Sequence, residues 1–469
     1  MVPRGRAQGA LLAPPLPGVY RGPVFARRAL LVTIFLMFVA DTGAPYADWF
    51  APFGWAHFLS EALPWKIRAV DHVFALCLLL APREQSRGQV VRPMRNMLLL
   101  AAGTTAVCFA YGVMRGGDSW AGAWQTYLMM SGVLFAFAVS ATFRTQEHYV
   151  SFAKVLVAAA AYRAVMCWCY YLLYIRTGRV DPLPEYLTSH DDTVLWVVCI
   201  LLLLLRLIEP SRPGDRFGSF LLVVLLGGAV LFNQRRLAWV SLGMGGALLF
   251  FLLPPGKAKR RAARAVLTLS PILLIYTAVG WGRPERIFKP LQSISTVSTA
   301  EDTSTKARNV ENLGLIATSN ANNPLFGTGW GHPYIEVSNK YSIAKYFPLW
   351  RFIPHNSILG LLAYSGILGF CGYWLVFPTA MFLTARMARM SKTPGARHLG
   401  AMGAAQLVVC ANQFYGDMGI YYAKSVYMLA LSYAIALRLP VMTGVWPGPK
   451  RVRRVPEGPA LKTATTSSP

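Results

Sequence analysis

The constraint that governs this chain is a series of apolar runs too long and too frequent for a water-soluble core. A membrane-spanning helix needs about 20 mostly apolar residues to cross a hydrocarbon layer of roughly 30 Å. Such runs recur near 28–41, 66–81, 96–114, 123–142, 149–175, 191–208, 217–232, 237–254, 265–282, 355–383, 399–417 and 420–438. Lipid offers no partners to backbone N–H and C=O groups, so each run reads as a helix that satisfies them internally. The 469 residues therefore predict an all-α polytopic membrane protein with about 12 transmembrane helices. The first two runs are short, as suits tilted or partly embedded helices. Only 14% of residues are charged, against roughly a quarter in soluble domains. That excludes a disordered chain, a disulfide scaffold and an ordinary soluble enzyme.

The net charge of +26, from 46 Lys and Arg against 20 Asp and Glu, points at first to a polyanion. Its distribution says otherwise. With the N-terminus cytoplasmic, basic residues collect in alternate loops, among them Arg83–Arg95, Lys257–Arg264 and Arg386–Arg397, while 41–65 holds none. This is positive-inside bias, so nucleic acid is not expected as a partner. Both termini are placed in the cytoplasm, and the first run is a signal anchor because a polar, Pro-rich stretch of some 27 residues precedes it. The seven cysteines all fall in spans without zinc spacing, and are expected to be buried apolar residues. The organisation expected is a cytoplasmic segment 1–27, a transmembrane bundle 28–216, a second transmembrane unit 217–438, and a basic, disordered tail 439–469.

Between the ninth and tenth spans lies the one large extramembrane segment, 283–354, of 72 residues on the outer face. Thr305–Ser319 reads as a helix with Val310, Leu313 and Ile316 along one side. The stretch NNPLFGTGWGHPY follows, with Gly327, Gly329 and Gly331; its GxGxG spacing has no preceding strand, so it predicts a tight turn rather than a dinucleotide loop. Pro354 suits a helix's first turn, which sets His355 and Asn356 at the outer start of the next span. Gly366 and Gly369 fall within about 20° and 40° of His355 around that helix, a face on which a second helix packs closely. A helix N-terminus favours neutral imidazole and a nearby phosphate.

Two further features carry charge where the bias forbids it. The 38 apolar residues 217–254 would make a helix of about 57 Å, so the run must break at its only polar point, FNQRRLAWV. That puts Arg235 and Arg236 at the outer membrane edge, as a pair suited to phosphate oxygens. Arg163 lies mid-span and must face a cavity or a partner. Asp417 and Lys424, seven apart, predict a structural ion pair; His190, Asp191 and Asp192 predict a helix start rather than a metal site.

HNSILGLLAYSGILG resembles the His, Asn, Gly-x-x-Gly stretch of the O-antigen ligase and polysaccharide polymerase superfamily. FNQRRLAWV resembles the family's Arg-containing stretch, and NPLFGTGWG its Pro-x-x-Gly-x-Gly loop motif. The strong part covers roughly 217–383, making 217–438 an O-antigen ligase-like domain. The resemblance implies an inner-membrane glycosyltransferase acting on the periplasmic face without metal or cofactor. Its donor would be a glycan on undecaprenyl pyrophosphate; its acceptor would be lipid A–core for a ligase, or another lipid-linked glycan for a polymerase. It further implies His355 as base, with Arg235 and Arg236 on the pyrophosphate, aided by Arg308; the mid-span Arg163 is expected to join them on the pyrophosphate. Asn356, Gly327, Gly329, Gly366 and Gly369 would support them. The loop sequence TKARNVENLG departs from the family's usual Ser-Arg. Both Arg235 and Arg236 remain candidates for the phosphate, with ligation favoured over polymerisation. A transporter or flippase of lipid-linked saccharide is the alternative class, although transporters usually show paired broken helices in two related halves.

Overall fold

The computed structural model describes residues 22–40, 52–60, 67–81, 90–179, 186–209, 213–283, 303–345 and 347–447, with positions 285, 288 and 290–292. The regular elements among the described residues are helices, with one isolated bridge between Asn323 and Gly327. Helices run over all of the apolar stretches. In chain order they are α1 (Gly22–Val39), α2 (Ala69–Leu80), α3 (Arg92–Met114), α4 (Ser119–Thr142), α5 (Gln146–Tyr170), α6 (His190–Ile208), α7 (Pro213–Asn233), α8 (Arg236–Leu252), α9 (Lys257–Gly280), α10 (Thr303–Ala321), α11 (Ser357–Trp374), α12 (Val376–Met390), α13 (Pro394–Gly416) and α14 (Ala423–Met442). Among the described residues, seven helical stretches are long and apolar enough to cross a membrane; α2 and α8 are shorter apolar helices. A π-turn, Tyr171–Ile175, extends α5.

The core is built around α14, which is buried continuously from Lys424 to Pro440. At the opposite extreme, α9 buries only Ala262 and Gly280 and turns Leu267, Leu273 and Leu274 outward. A helix apolar on its exposed faces is stable only in lipid. The tail begins later than expected: α14 runs to Met442, and Arg438 is buried, donating to the Ser140 carbonyl at 2.8 Å. The segments 1–21 and 448–469 lie outside the described residues. Five of the cysteines are buried, whereas Cys169 is half-buried and Cys371 exposed, so the expectation holds in part.

The two ends of the bundle differ. At one end Glu209 receives Arg397 at 3.3 Å and His398 at 3.0 Å, and Arg261 donates to the Ile208 carbonyl. At the other lie the α7–α8 break, the start of α6, the end of α13, and α10 with its loop.

Candidate functional site

The 38-residue run does break where its polar residues stand. Asn233 ends α7 fully buried, its Oδ1 accepting from Leu187 and Thr188 N–H at 2.9 and 2.8 Å, its Nδ2 donating to Thr193 Oγ1. Gln234 takes φ +54°, the one non-glycine residue in the left-handed region among the described residues. This kink turns successive arginines apart. Arg235 is buried against the His190 ring, donates to the Thr188 carbonyl at 3.0 Å, and lies over Tyr186 with 3.7 Å to the ring centroid. Arg236 is exposed in the first turn of α8. The expected side-by-side pair is therefore divided into an inner and an outer guanidinium.

His190 begins α6, as expected, but it also pairs with Asp417, whose other partner is Gln413 Nε2 at 3.2 Å. Tyr422 stacks on its far side. Asp417 thus does not take Lys424, as the seven-residue spacing predicts. Lys424 reaches Asp192 Oδ1 at 2.7 Å, and Arg163 clasps the same carboxylate at 2.6–3.1 Å. Asp192 is wholly buried and Arg163 is 3% exposed. Arg163 therefore has its charge answered inside the bundle, which corrects its assignment to the pyrophosphate. A guanidinium in hydrocarbon needs such a partner, and α6 supplies it.

The loop helix corrects the sequence reading most. Leu313 and Ile316 face outward at 58% and 45% exposure, while Glu311, Leu315 and Thr318 form the buried face. Glu311 Oε1 accepts the His355 N–H at 2.6 Å, and Oε2 lies 2.9 Å from His355 Nδ1. Nothing in the sequence periodicity marks Glu311; its signal is its place one turn after Arg308. An ionised carboxylate only accepts, so it fixes the proton on Nδ1 and leaves Nε2 as the basic nitrogen.

His355 is not in a helix's first turn, nor is Pro354. Asn356 is the N-cap of α11, its Oδ1 accepting Leu359 N–H at 3.1 Å and its Nδ2 donating to Asn312. The imidazole is oriented by α10 rather than by the helix below it. Arg308 and His355 line one cavity of about 200 Å³, walled by Tyr334, Tyr341 and Trp350. Among the described residues Arg308 makes no hydrogen bond or ion pair. Asp417 feels the charges of His190, His355 and Arg308, and His190 those of Arg235 and Arg308, so the inner arginine, both histidines and the loop arginine form one electrostatic cluster. Burial pushes the Tyr334 phenol above its usual range, so that wall of the cavity stays neutral.

The loop glycines join the segment after α10 to α11 and α3. Gly366 interrupts α11 at φ +56°, ψ −165°, and the segment after α10 inserts its backbone there. Ile367 and Leu368 N–H donate to the Pro324 and Leu325 carbonyls at 2.9 and 3.0 Å; Thr328 and Gly329 N–H return bonds to Ala363 and Tyr364. A methyl group on Gly366 would overlap the Leu325 carbonyl, and one on Gly327 the Ala363 carbonyl. Gly329 sits against Gly112 of α3. So Gly366 admits a loop strand rather than a second helix, whereas Gly369 lies close to Cys108 of α3, the helix-packing role expected. The turn also ties the loop to α4: Gly331 N–H donates to Gln125 Oε1 at 2.6 Å.

Among the described residues no three His, Cys, Asp or Glu side chains converge as a metal site. The cluster contains a base held by a carboxylate, an open guanidinium beside it and a second one behind, an arrangement fitted to move a proton next to a phosphate. Residues 221–374, about a third of the chain, match the family model described as O-Antigen ligase, a span that takes in the helix break, α10 and His355. This match supports the O-antigen ligase and polymerase superfamily. No curated protein matches the chain.

Proposed function

We propose that this chain, whose 221–374 segment is of the O-antigen ligase type, transfers a glycan from an undecaprenyl-pyrophosphate carrier to an acceptor hydroxyl at the outer face of a bacterial inner membrane. The observation that carries this reading is the grip of Glu311 on His355 Nδ1 within a cavity shared with Arg308. His355 Nε2 takes the proton from the acceptor hydroxyl. The oxygen attacks the sugar's anomeric carbon, and the bond from that carbon to the pyrophosphate oxygen breaks. Negative charge grows on the pyrophosphate as it leaves, and Arg308 and the exposed Arg236 offset it. Such fixed charges at a developing anion are among the largest contributors to catalysis. Arg235 acts from behind through His190, a change from direct contact. Because pyrophosphate is already a good leaving group, the reading needs no metal, and turnover unchanged by chelation is the expected result.

The acceptor favoured is lipid A–core, making the protein a ligase; a polymerase extending lipid-linked repeats uses the same groups. Deletion of the gene and complementation with this chain separates them. A ligase leaves full-length polymer on the carrier while lipid A–core lacks it; a polymerase shortens the polymer. Accumulation of neither, with carrier-linked glycan confined to the inner leaflet, would identify a flippase and refute glycosyl transfer.

A further inference from the structure

The end of the bundle away from His355 holds a second concavity, between α5, α6, α7 and α13, with a volume of about 540 Å³. That is within the roughly 300–1,000 Å³ typical of ligand sites. Its charged lining lies toward one end. On α5, Val150 and Ala153 line the first turns, Lys154 follows, and Val157, Ala158 and Ala161 lie deeper; on α6, which runs the other way, Arg206 stands near the helix end and Leu203 and Leu202 lie deeper. The lining beyond Lys154 and Arg206 toward the bundle's middle is apolar. His398, at the start of α13, is the third basic group at the mouth, held there by Glu209 at 3.0 Å. Arg397 answers the same carboxylate, so the mouth keeps a net positive charge.

We propose that this groove binds one anionic phospholipid, its phosphate at Lys154 and Arg206 and an acyl chain between α5 and α6. A soluble anion has no use for the apolar depth, and a zwitterionic lipid gains less from the basic mouth. Basic pockets between membrane helices on the side rich in Lys and Arg recognise anionic headgroups in this way. Neither Lys154 nor Arg206 belongs to the transfer site, so the site stands whether or not the chain transfers glycans. Its role would be to hold α5 against α6 and α13.

Native mass spectrometry of the full chain in detergent, titrated with phosphatidylglycerol or phosphatidylcholine, tests this. The wild-type protein should retain phosphatidylglycerol in preference to phosphatidylcholine. Lys154→Ala with Arg206→Ala should weaken retention by about 25-fold, from roughly fivefold per charge. Ala158→Trp, which fills the groove and leaves the charges in place, should abolish retention in a monodisperse protein; Lys154→Gln alone, at an exposed position, should give a smaller loss without a folding risk. Equal retention of the two lipids, unchanged retention in the filled variant, or thermal stabilisation by inorganic phosphate equal to that by phosphatidylglycerol would each overturn the proposal.

Discussion

Both carboxylate oxygens of Glu311 are engaged by the His355 main chain and ring, so this one residue sets where the imidazole sits and which nitrogen is basic. Glu311→Gln keeps the size and loses the charge that fixes the Nδ1 proton. The expected outcome is a fall in kcat of roughly 10²-fold with KM nearly unmoved, measured with a defined lipid-linked donor. Arg308→Ala should lower kcat as well, and Arg308→Lys should recover only part of it, because a point charge replaces a bidentate fork. His355 was singled out in the sequence by its motif neighbours, and Arg308 only through the family resemblance, in a stretch that departs from the usual motif. Glu311 was not, because the apolar positions Val310, Leu313 and Ile316 mark one side of α10 without marking the side that is covered; only the partner loop shows that.

At the scale of elements, two breaks shape the site, and they differ in how visible they were. The α7–α8 break follows from length, since no single span accommodates residues 217–254, and Asn233–Arg236 was the only polar point. The break in α11 was hidden. Gly366 and Gly369 looked like a packing face, and the chain that enters at Gly366 comes from some 40 residues earlier. Gly366→Ala forces a side chain into a backbone conformation that costs of order 1–3 kcal/mol, and it collides with the inserted loop. The expected result is a lower melting temperature in detergent, with transfer reduced more than for Gly227→Ala, where a methyl group meets open space.

For the molecule as a whole, the buried exceptions within the +26 bind helices together. Arg163 of α5 and Lys424 of α14 meet on Asp192 of α6. Spacing along one chain does not reveal a three-helix junction, which is why Lys424 was matched with Asp417. Asp192→Ala leaves two cations without a counter-charge in the core and should destabilise the protein by about 3–5 kcal/mol, read from thermal unfolding in detergent. Asp192→Ala with Arg163→Met should recover part of that loss. On the proposed reading the bundle presents one imidazole beside the arginines that answer the pyrophosphate, and the most direct test is the single-turnover rate of His355→Ala with defined donor and acceptor. A fall of about 10²–10⁴-fold, in a protein whose melting temperature and donor binding match wild type, is the result predicted. Transfer at the wild-type rate would contradict the account.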